Sequence, residues 1–451
     1  MPETPPQTAT PTTRTTERAI VARRQARELH AGDLITTTTI TDEAQHLTID
    51  SLLDYSTPRG ALETLHLEEV FGHADTLQTM LDPRDVVRPL AHGFFDIDDA
   101  SGKAMLSFEQ PDGGLSDGLL MTHTAQRQLA NRIGGGGWHS AMTKLAEFGD
   151  WVEHPNPDIG LVHTGRAQAT TCWNHMLTGS VKPSYSRTIN VPGQGTRCLR
   201  SVHGNQYFAF DSVDLLQVLM EHAYLQGLPV AQCKVTDDST LVTILLDPEC
   251  TLRFQDGGHV MLNEPVPMLR AKTNSVGEGA VMLWGGLFDG FCTNALPTWK
   301  PDLTFSWAHR GANLADRIVA QLTDAVDSVG VDCGGTLEGY KRAQDVAVLD
   351  AAFMLQQWAR PSNITRAQRG AVMGALADPA SSNTPQLTTA DGGRQVPRTS
   401  LARVVDAVTY AAQAEATIDG QNRLEMAAAN LMSRGLEFSR STGVIDMVPA
   451  A

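Results

Sequence analysis

The order of secondary-structure patterns between residues 197 and 246 constrains the fold more than any other feature of this sequence. Two apolar runs around a Gly-Asn turn predict a pair of strands, and a run with helical apolar spacing follows. An Asp-Ser pair can cap that helix, and a glycine ends it before two more strand-like runs. In order, the segments are Arg197–Phe210, Val213–Gln226, Pro229–Val235 and Leu241–Leu246. This β-β-α-β-β unit predicts an α+β fold with a mixed or antiparallel sheet.

The rest of the sequence divides into regions of different composition. Residues 1–16 are rich in Pro and Thr, and 378–398 is rich in Ser, Thr, Gly and Pro, which predicts a flexible tail and a linker. Apolar runs with Gly-Gly turns predict a β-rich stretch at 251–310. We predict a tail with a basic helix at 1–32, an N-terminal region of unknown role at 33–118, an α+β core at 119–330 and a helical C-terminal region at 331–451. Helical spacing predicts helices at Leu119–Ile133, at Trp138–Trp151, twice between Ala308 and Trp358, and from Thr399 to about Glu437.

The basic helix follows the tail and allows two interpretations. The run TERAIVARRQARELH begins at Thr16 and has helical spacing. It carries Arg18, Arg23, Arg24 and Arg27. One interpretation is an arm that contacts nucleic acid or a protein partner. The other is a solvated surface helix with charge pairs along its length.

Charge and hydropathy exclude several classes of protein. The 451 residues include 35 Lys and Arg against 51 Asp and Glu, so the formal net charge is −16. A nonspecific duplex binder has the opposite balance, although a local basic groove is compatible with an acidic body. The sequence has neither the apolar run of a signal peptide nor the roughly 20 apolar residues of a membrane span. Six cysteines without a C-x-x-C pair predict reduced thiols, and we expect a cytoplasmic protein with no membrane partner.

Local motifs for catalysis and metal binding are weak. The stretch Gly334–Lys341 has the glycines of a phosphate-binding loop, but Tyr340 stands where that loop needs lysine. Cys172 and His175 have a spacing that zinc ligands use, yet no second pair matches it, so a buried thiol and a surface histidine are the simpler interpretation. The sequence therefore assigns no catalytic residue, metal ligand or cofactor, and it favours a protein that is not an enzyme.

A candidate nucleic-acid surface surrounds a Pro/Gly-rich loop. Cations next to aromatic residues are the composition of a platform on which single-stranded bases stack. Its members are Lys182, Tyr185, Arg187, Arg197, Arg200 and Tyr207. Phe208 and Phe210 are expected on one face of the following strand and Tyr207 on the other. The alternative is that the two phenylalanines are core, that Tyr207 is half-exposed and that the arginines are solvated.

Three ordered patches of sequence resemble one known family. The first is Arg200-Ser-Val-His-Gly-Asn-Gln-Tyr207-Phe-Ala-Phe-Asp211 with Leu215-Leu216, and the helical stretch Thr122–Arg132 precedes it. The second joins Thr273–Gly279 to Phe291–Asn294 and His309–Gly311, and the third is Val404–Ala411. Together they are similar to the phage/plasmid-like family, a domain of unknown function. This chain departs from the family pattern at Gly204, Ser212, Ala295 and Asp406.

The resemblance implies a context and a set of polar positions, and it carries no catalytic residue. The matched positions are Asn274, Ser275, Cys292, Asn294 and His309. Their structural alternative is that Asn and Ser hold turns and that Cys292 packs in the core. The family context implies an accessory protein of mobile elements in a bacterial host cell. Together with the candidate nucleic-acid surface, it motivates the hypothesis that the protein binds or anneals single-stranded DNA during replication or recombination.

Two other hypotheses stay open. One is a non-catalytic structural or interaction protein that self-associates or forms oligomers with phage or host partners. The other is an enzyme with a dispersed site around Asn274, Cys292 and His309, which requires those side chains to share a hydrogen-bond network.

Overall fold

The computed structural model describes residues 40–41, 48–49, 53–56, 65–80, 86–98, 102–110, 112–134, 136–180, 183–190, 197–236, 238–246, 265–289, 294–297, 304–311, 313–359, 364–378, 381–382, 387–391, 394–415, 417–439 and 444–445. Its helices are α1 (Leu67–Met80), α2 (His123–Arg132), α3 (His139–Glu147), α4 (Thr164–Thr178), α5 (Ser212–Glu221), α6 (Leu314–Gln344), α7 (Ala351–Ala359), α8 (Arg366–Ala377), α9 (Leu401–Gln413) and α10 (Ile418–Ser439).

Its strands are β1 (Ile40–Thr41), β2 (Thr48–Ile49), β3 (Leu53–Ser56), β4 (Val86–Pro89), β5 (Gly93–Ile97), β6 (Ala104–Phe108), β7 (Leu119–Met121), β8 (Trp151–Glu153), β9 (Leu161–His163), β10 (Pro183–Asn190), β11 (Arg197–Gly204), β12 (Val230–Val235), β13 (Ser239–Leu245), β14 (Val266–Asn274), β15 (Val281–Asp289), β16 (Asn294–Pro297), β17 (Thr304–Trp307), β18 (Ala347–Val348), β19 (Leu387–Asp391), β20 (Arg394–Ser400) and β21 (Val444–Ile445). The fold is α+β, with mixed and antiparallel sheets and a helical C-terminal region, as the sequence predicts.

A six-stranded sheet has the strand order β4-β10-β11-β7-β6-β5. Its pairs are antiparallel except for β11 and β7, which run parallel. Leu129 of α2 and Trp173 of α4 pack in one hydrophobic cluster with Phe95 and Leu106 of the sheet. The rings of Phe95 and Trp173 stack with their centroids 4.6 Å apart. Helices therefore cover one face of this sheet and form a core of their own with it.

A seven-stranded sheet is buried on both faces. Its order is β16-β15-β14-β13-β12-β3, and β17 also pairs with β15. Val242 and Ala271 face the main hydrophobic cluster, which includes α5 and α6. Adjacent residues of a strand point to opposite faces, so Arg270 and Lys272 point to the face opposite Ala271, where both form ion pairs with α10. Every residue of β13 is buried, which explains why its sequence lacks polar–apolar alternation.

A buried ion pair attaches α10 to the second face of this sheet. Arg270 is fully buried and pairs with Glu425, and its other donors reach Thr243 and Gln232. Burial raises the pKa of the Glu425 carboxyl and lowers that of the Arg270 guanidinium, and the attraction between the two groups opposes both shifts. A charge this deep is tolerated because its partners satisfy its donors.

The predicted β-β-α-β-β order is present, but its strands belong to two sheets. β10 and β11 lie in the six-stranded sheet, β12 and β13 lie in the seven-stranded sheet, and α5 crosses between them. The predicted strand pair around Gly204 and Asn205 is wrong, because β11 pairs with β10 instead. Residues 207–210 form no strand, and Tyr207 makes a single bridge to Arg310.

Several predicted boundaries also differ from the structure. The boundary at residue 118 falls inside the six-stranded sheet, since β5 and β6 pair next to β7. The predicted linker 378–398 contains the hairpin β19–β20. The second helix predicted between Ala308 and Trp358, over Tyr340–Ala359, is interrupted in the structure. Its first residues belong to α6, β18 follows and pairs with β20 and β21, and α7 forms the remainder. Residues 334–341 lie inside α6, which is incompatible with a phosphate-binding loop.

The tail and basic helix predicted at 1–32 lie outside the described residues. Among the helices that are described, none is long and apolar enough to cross a membrane.

Candidate functional site

A cleft of about 560 Å³ opens where the two large sheets meet. Its walls come from the end of β11 and the following turn (203–207), the β14–β15 turn (277–280) and the loop after β17 (308–310). Arg132, the last residue of α2, completes the rim. Two of the three patches that resemble the phage/plasmid-like family thus contribute to one cavity.

Stacked rings line the base of the cleft. The Tyr207 ring lies on the His203 ring with centroids 3.7 Å apart and planes 9° apart. The His309 ring lies near Tyr207 at 5.6 Å and 16°, and Tyr185 approaches Tyr207 at 5.9 Å. The two histidines occupy space that a base would need to stack on Tyr207. The predicted use of Tyr207 as a stacking platform therefore does not fit this geometry.

Gly277 allows the β14–β15 turn to approach this stack. Its φ is +68°, a conformation that side chains rarely adopt. A Cβ at this position would lie 2.7 Å from the Tyr207 ring and 2.8 Å from the His203 ring. Asn274 shapes the same turn, because its Oδ1 accepts the Glu278 amide at 2.7 Å and its Nδ2 donates to Ser239 Oγ. The polar position Asn274 thus holds a turn, as its structural alternative expects.

A buried ionic cluster supports the stack from below. Both terminal nitrogens of Arg187 donate to the Asp211 carboxylate, at 2.8 and 2.7 Å. The carbonyl oxygen of Ser275 accepts a hydrogen bond from Arg187 Nη1 at 2.8 Å and another from the Tyr207 hydroxyl at 2.7 Å. Arg200 Nη1 lies 4.0 Å from the same carboxylate. Asp211 also caps α5, so one carboxylate joins the helix to strands of the six-stranded sheet.

Burial leaves the rings of the stack uncharged at neutral pH. The pKa of His203 is lowered to about 3, mainly by burial and also by the positive charge of Arg187. Burial also lowers the pKa of His309 and raises that of Tyr207 to about 12. Burial alone would raise the pKa of Asp211, but Arg187 and Arg200 outweigh it and lower that pKa. The base of the cleft is therefore polar and neutral, above a compensated ion cluster.

Two arginines supply positive charge at the rim. Arg310 is exposed. Arg132 donates from Nε to Ser184 Oγ and from Nη2 to the Pro183 carbonyl, while Nη1 lies near Gly204 on the cleft wall. Glu278, also on the rim, pairs with Arg127. Sequence reasoning did not select either rim arginine, although Arg132 ends one of the residue runs that resemble the family and Arg310 lies within another.

The structure changes the interpretation of the predicted nucleic-acid residues. Arg187 and Arg200 are 3% and 1% exposed, so they do not form a surface track with Arg197. The physical reason is Asp211, whose buried carboxylate draws the guanidinium of Arg187 inward. Arg197 is half-buried on β11, with Nη2 at 3.4 Å from Thr188 Oγ1. Lys182 lies outside the described residues.

The matched polar positions divide into two groups. Asn274, Ser275 and His309 are all buried around the cleft. Asn294 begins β16 and pairs with Asp289 of β15. Cys292 lies outside the described residues, so the dispersed site that requires it stays a hypothesis. Two buried groups near the cleft, Ser275 Oγ and His309 Nε2, have no hydrogen-bond partner among the described residues.

The site contains one Ser–His contact, between Ser201 Oγ and His203 Nε2 at 2.8 Å. Both side chains are buried, and a histidine with a pKa near 3 is a poor general base at neutral pH. Cys172 and His175 lie on α4, and the described residues contain no group of three or more His, Cys, Asp or Glu that could hold a metal ion. The Ser201–His203 contact is therefore poorly suited to general-base catalysis at neutral pH.

Comparison with known proteins adds no relative: no family model, no curated protein and no solved structure matches this chain.

Proposed function

We propose that this chain binds single-stranded nucleic acid through the cleft, as a phage- or plasmid-type accessory protein of replication or recombination in the cytoplasm of a bacterial host cell. The observation that carries the proposal is the pairing of a cationic rim, Arg132 and Arg310, with a neutral polar base in a cavity of about 560 Å³. The resemblance of its lining segments to the phage/plasmid-like family supports the biological context.

Recognition would begin with phosphate at the rim. Guanidinium groups form short, charge-assisted hydrogen bonds with phosphate oxygens, and these bonds supply most of the sequence-independent affinity. Arg310 is exposed, and Arg132 is held in place by Ser184 and Pro183. Together they suit one or two phosphates rather than a long track of backbone.

A base would enter the cleft with the edge of its ring first. The rings at the bottom cover one another, so the hydrogen-bonding groups around them carry the recognition. These are the exposed amides of Asn205 and Gln206 and the backbone of the β14–β15 turn. A volume of this size falls within the range of about 300–1,000 Å³ that small-ligand sites occupy. The cleft therefore fits one or two nucleotides.

Fluorescence anisotropy with a labelled single-stranded oligonucleotide tests the proposal. We expect binding that weakens as salt is raised, and an Arg310→Ala protein that binds about tenfold more weakly, the equivalent of one lost charged contact. Arg366→Ala, at an exposed position at the start of α8, is the matched control and should bind as the wild type does. Absence of binding at low salt, or equal losses in both variants, would overturn the proposal.

A second candidate function is a non-catalytic interaction protein that assembles with itself or with phage or host partners. A specific observation favours it: the β8–β9 hairpin and its flanks expose several large apolar side chains. Monomeric proteins rarely expose such residues as a contiguous group. Sizing chromatography of the wild type and of Trp151→Ser tests this candidate. A variant with a smaller or less heterogeneous assembly supports it, and identical profiles of a monomer contradict it.

A further inference from the structure

The segment from Glu147 to His163, named here the acidic arm, leaves the body of the protein between α3 and α4. It contains β8 and β9, which pair with each other and with no other strand in the described part of the chain. Five of its large apolar side chains are 44–72% exposed: Phe148, Trp151, Val152, Ile159 and Leu161. Exposing a group of large apolar side chains to water is unfavourable, and such groups usually mark a surface that contacts a partner. The arm therefore has the composition of a contact surface.

Contacts at its base support the arm, and its five exposed apolar side chains belong to none of the hydrophobic clusters of the described residues. An isolated two-stranded hairpin is marginally stable in water, so other contacts must support it. At its base Gly165 packs so closely on the backbone that a Cβ would lie 2.0 Å from the Phe148 carbonyl oxygen. Arg166 lies over the Trp151 ring at 5.7 Å, and the His163 ring meets the same tryptophan edge-on. The base of the arm is thus packed against the start of α4.

The charge of the arm decides which partner it fits. Between Lys144 and Arg166 the sequence contains four carboxylates and no Lys or Arg. They are Glu147, Asp150, Glu153 and Asp158, all exposed. Two copies of the arm would bring like charges together around an apolar contact, which is unfavourable. A basic segment with apolar residues of its own matches both properties.

This chain contains such a segment outside the described residues. Residues 14–30 have five arginines and two glutamates. Ile20, Val21 and Leu29 stand among those charges and supply apolar contacts. Elsewhere the protein is acidic, so this cluster of arginines is unusual in its own sequence.

We propose that the acidic arm binds the basic segment 14–30 of this chain. The inference goes beyond the second candidate function, because it assigns the exposed apolar surface an occupant from within the chain. Apolar contact would be made by Trp151, Val152 and Leu161, and the carboxylates around them would pair with the arginines. A charged rim around an apolar centre is the usual anatomy of a specific interface.

Hydrogen–deuterium exchange of residues 148–163 in the full-length protein tests this proposal. We expect about tenfold faster exchange when Arg18, Arg23, Arg24 and Arg27 are all replaced by Glu, because the bound segment no longer protects the arm. Replacing the same four arginines with Lys keeps the charge and should keep the protection. Adding a synthetic peptide of residues 14–30 to the Glu variant should restore slow exchange.

Charge reversal separates a direct contact from a general effect of charge. Glu153→Arg in the arm should remove the protection, and a peptide carrying Arg23→Glu and Arg24→Glu should bind that variant better than the wild-type peptide does. Protection that is equal in the wild type and in the Glu variant overturns the proposal. Protection of the Glu variant that is lost on dilution identifies a second copy's arm as the partner, and protection only by anionic vesicles identifies a lipid surface. Both results overturn it too. If the peptide fails to bind while Trp151→Ser still alters the assembly, the interaction function stands and this inference falls.

Discussion

Gly277 controls the geometry of the cleft at the scale of a single residue. Its positive φ lets the β14–β15 turn pass directly over the edges of the His203 and Tyr207 rings. The same turn carries the Ser275 carbonyl that accepts from Arg187 and Tyr207. A change at this position therefore acts on the turn, on the stack and on the ion cluster together.

Gly277→Ala should destabilise the protein by about 2–4 kcal/mol, because it combines a strained φ with a collision against two rings. Gly279→Ala is the control, since its Cβ would meet only Asn274 Cβ at 3.5 Å, an ordinary contact. We expect that control to stay within about 0.5 kcal/mol of the wild type. Urea unfolding followed by circular dichroism measures both, and equal stabilities of the two variants would contradict the role given to Gly277.

The low pKa of His203 predicts how stability depends on pH. The folded protein keeps this ring neutral down to about pH 3, whereas the unfolded chain binds a proton near the ordinary pKa of about 6.5. Stability should therefore be lost as pH falls from about 6.5, with a slope of ~1.4 kcal/mol per pH unit for this histidine. The lowered pKa of His309 acts in the same direction. His203→Gln should reduce the slope of the unfolding free energy against pH between pH 6 and 4.5 by the contribution of about one proton. Denaturant unfolding at each pH measures this slope, and an unchanged slope argues against a buried neutral ring.

The residue scale also marks the limit of prediction from sequence. The cap at Asp211 and the turn role of Asn274 follow from local rules, because each acts on backbone within a few residues. The burial of Arg187 does not, since its partner Asp211 lies on another element and only the folded chain brings them together. For the same reason the sequence marked Arg187 and Arg200 as surface cations and overlooked Arg132 and Arg310.

At the scale of elements, α5 is the connection between the two large sheets. Its first turn is capped by Asp211, whose carboxylate is bonded to Arg187 of β10. Its side chains Val213, Leu215 and Leu216 pack in the same hydrophobic cluster as the seven-stranded sheet. The sequence predicted this helix and the strands on either side. It did not predict that those strands divide between sheets, because pairing depends on strands distant in the chain.

Asp211→Asn separates the two roles of this residue. Asparagine can still cap α5, so the helix should remain, but the buried guanidinium groups of Arg187 and Arg200 lose their counter-charge. We expect a loss of about 3–5 kcal/mol, the usual cost of breaking a buried ion pair from one side. Asp211→Ala should cost about 1 kcal/mol more, because the cap is lost as well. Thermal and urea unfolding measure both variants; a loss below about 1 kcal/mol for Asp211→Asn would show that the ion cluster contributes little.

At the scale of the whole molecule, a net charge of −16 limits how a polyanion can bind. In the proposed mode of binding, the two arginines at the rim of the cleft contact a few phosphates, and the acidic body of the protein repels a longer strand. Lengthening an oligonucleotide from four to twenty nucleotides should therefore raise affinity by no more than about sixfold, the gain in the number of positions that a two-nucleotide site can occupy. The slope of log affinity against log salt should be near −1.4, as expected for about two phosphates on a single strand. Anisotropy titrations over a salt series measure both, and a much steeper slope would indicate a long cationic track instead of a local cleft.

The six-stranded sheet is inserted in sequence between two paired strands of the seven-stranded sheet, and this order affects how the chain folds during synthesis. All strands of the six-stranded sheet lie in sequence between β3 and its partner β12. During translation β3 therefore leaves the ribosome long before β12. The six-stranded sheet can form before β12 is available to pair with β3. Closure of the seven-stranded sheet at β3 is thus a late event. Nascent chains stalled before residue 230 should expose this strand to chaperones, and those stalled well after β13 should not.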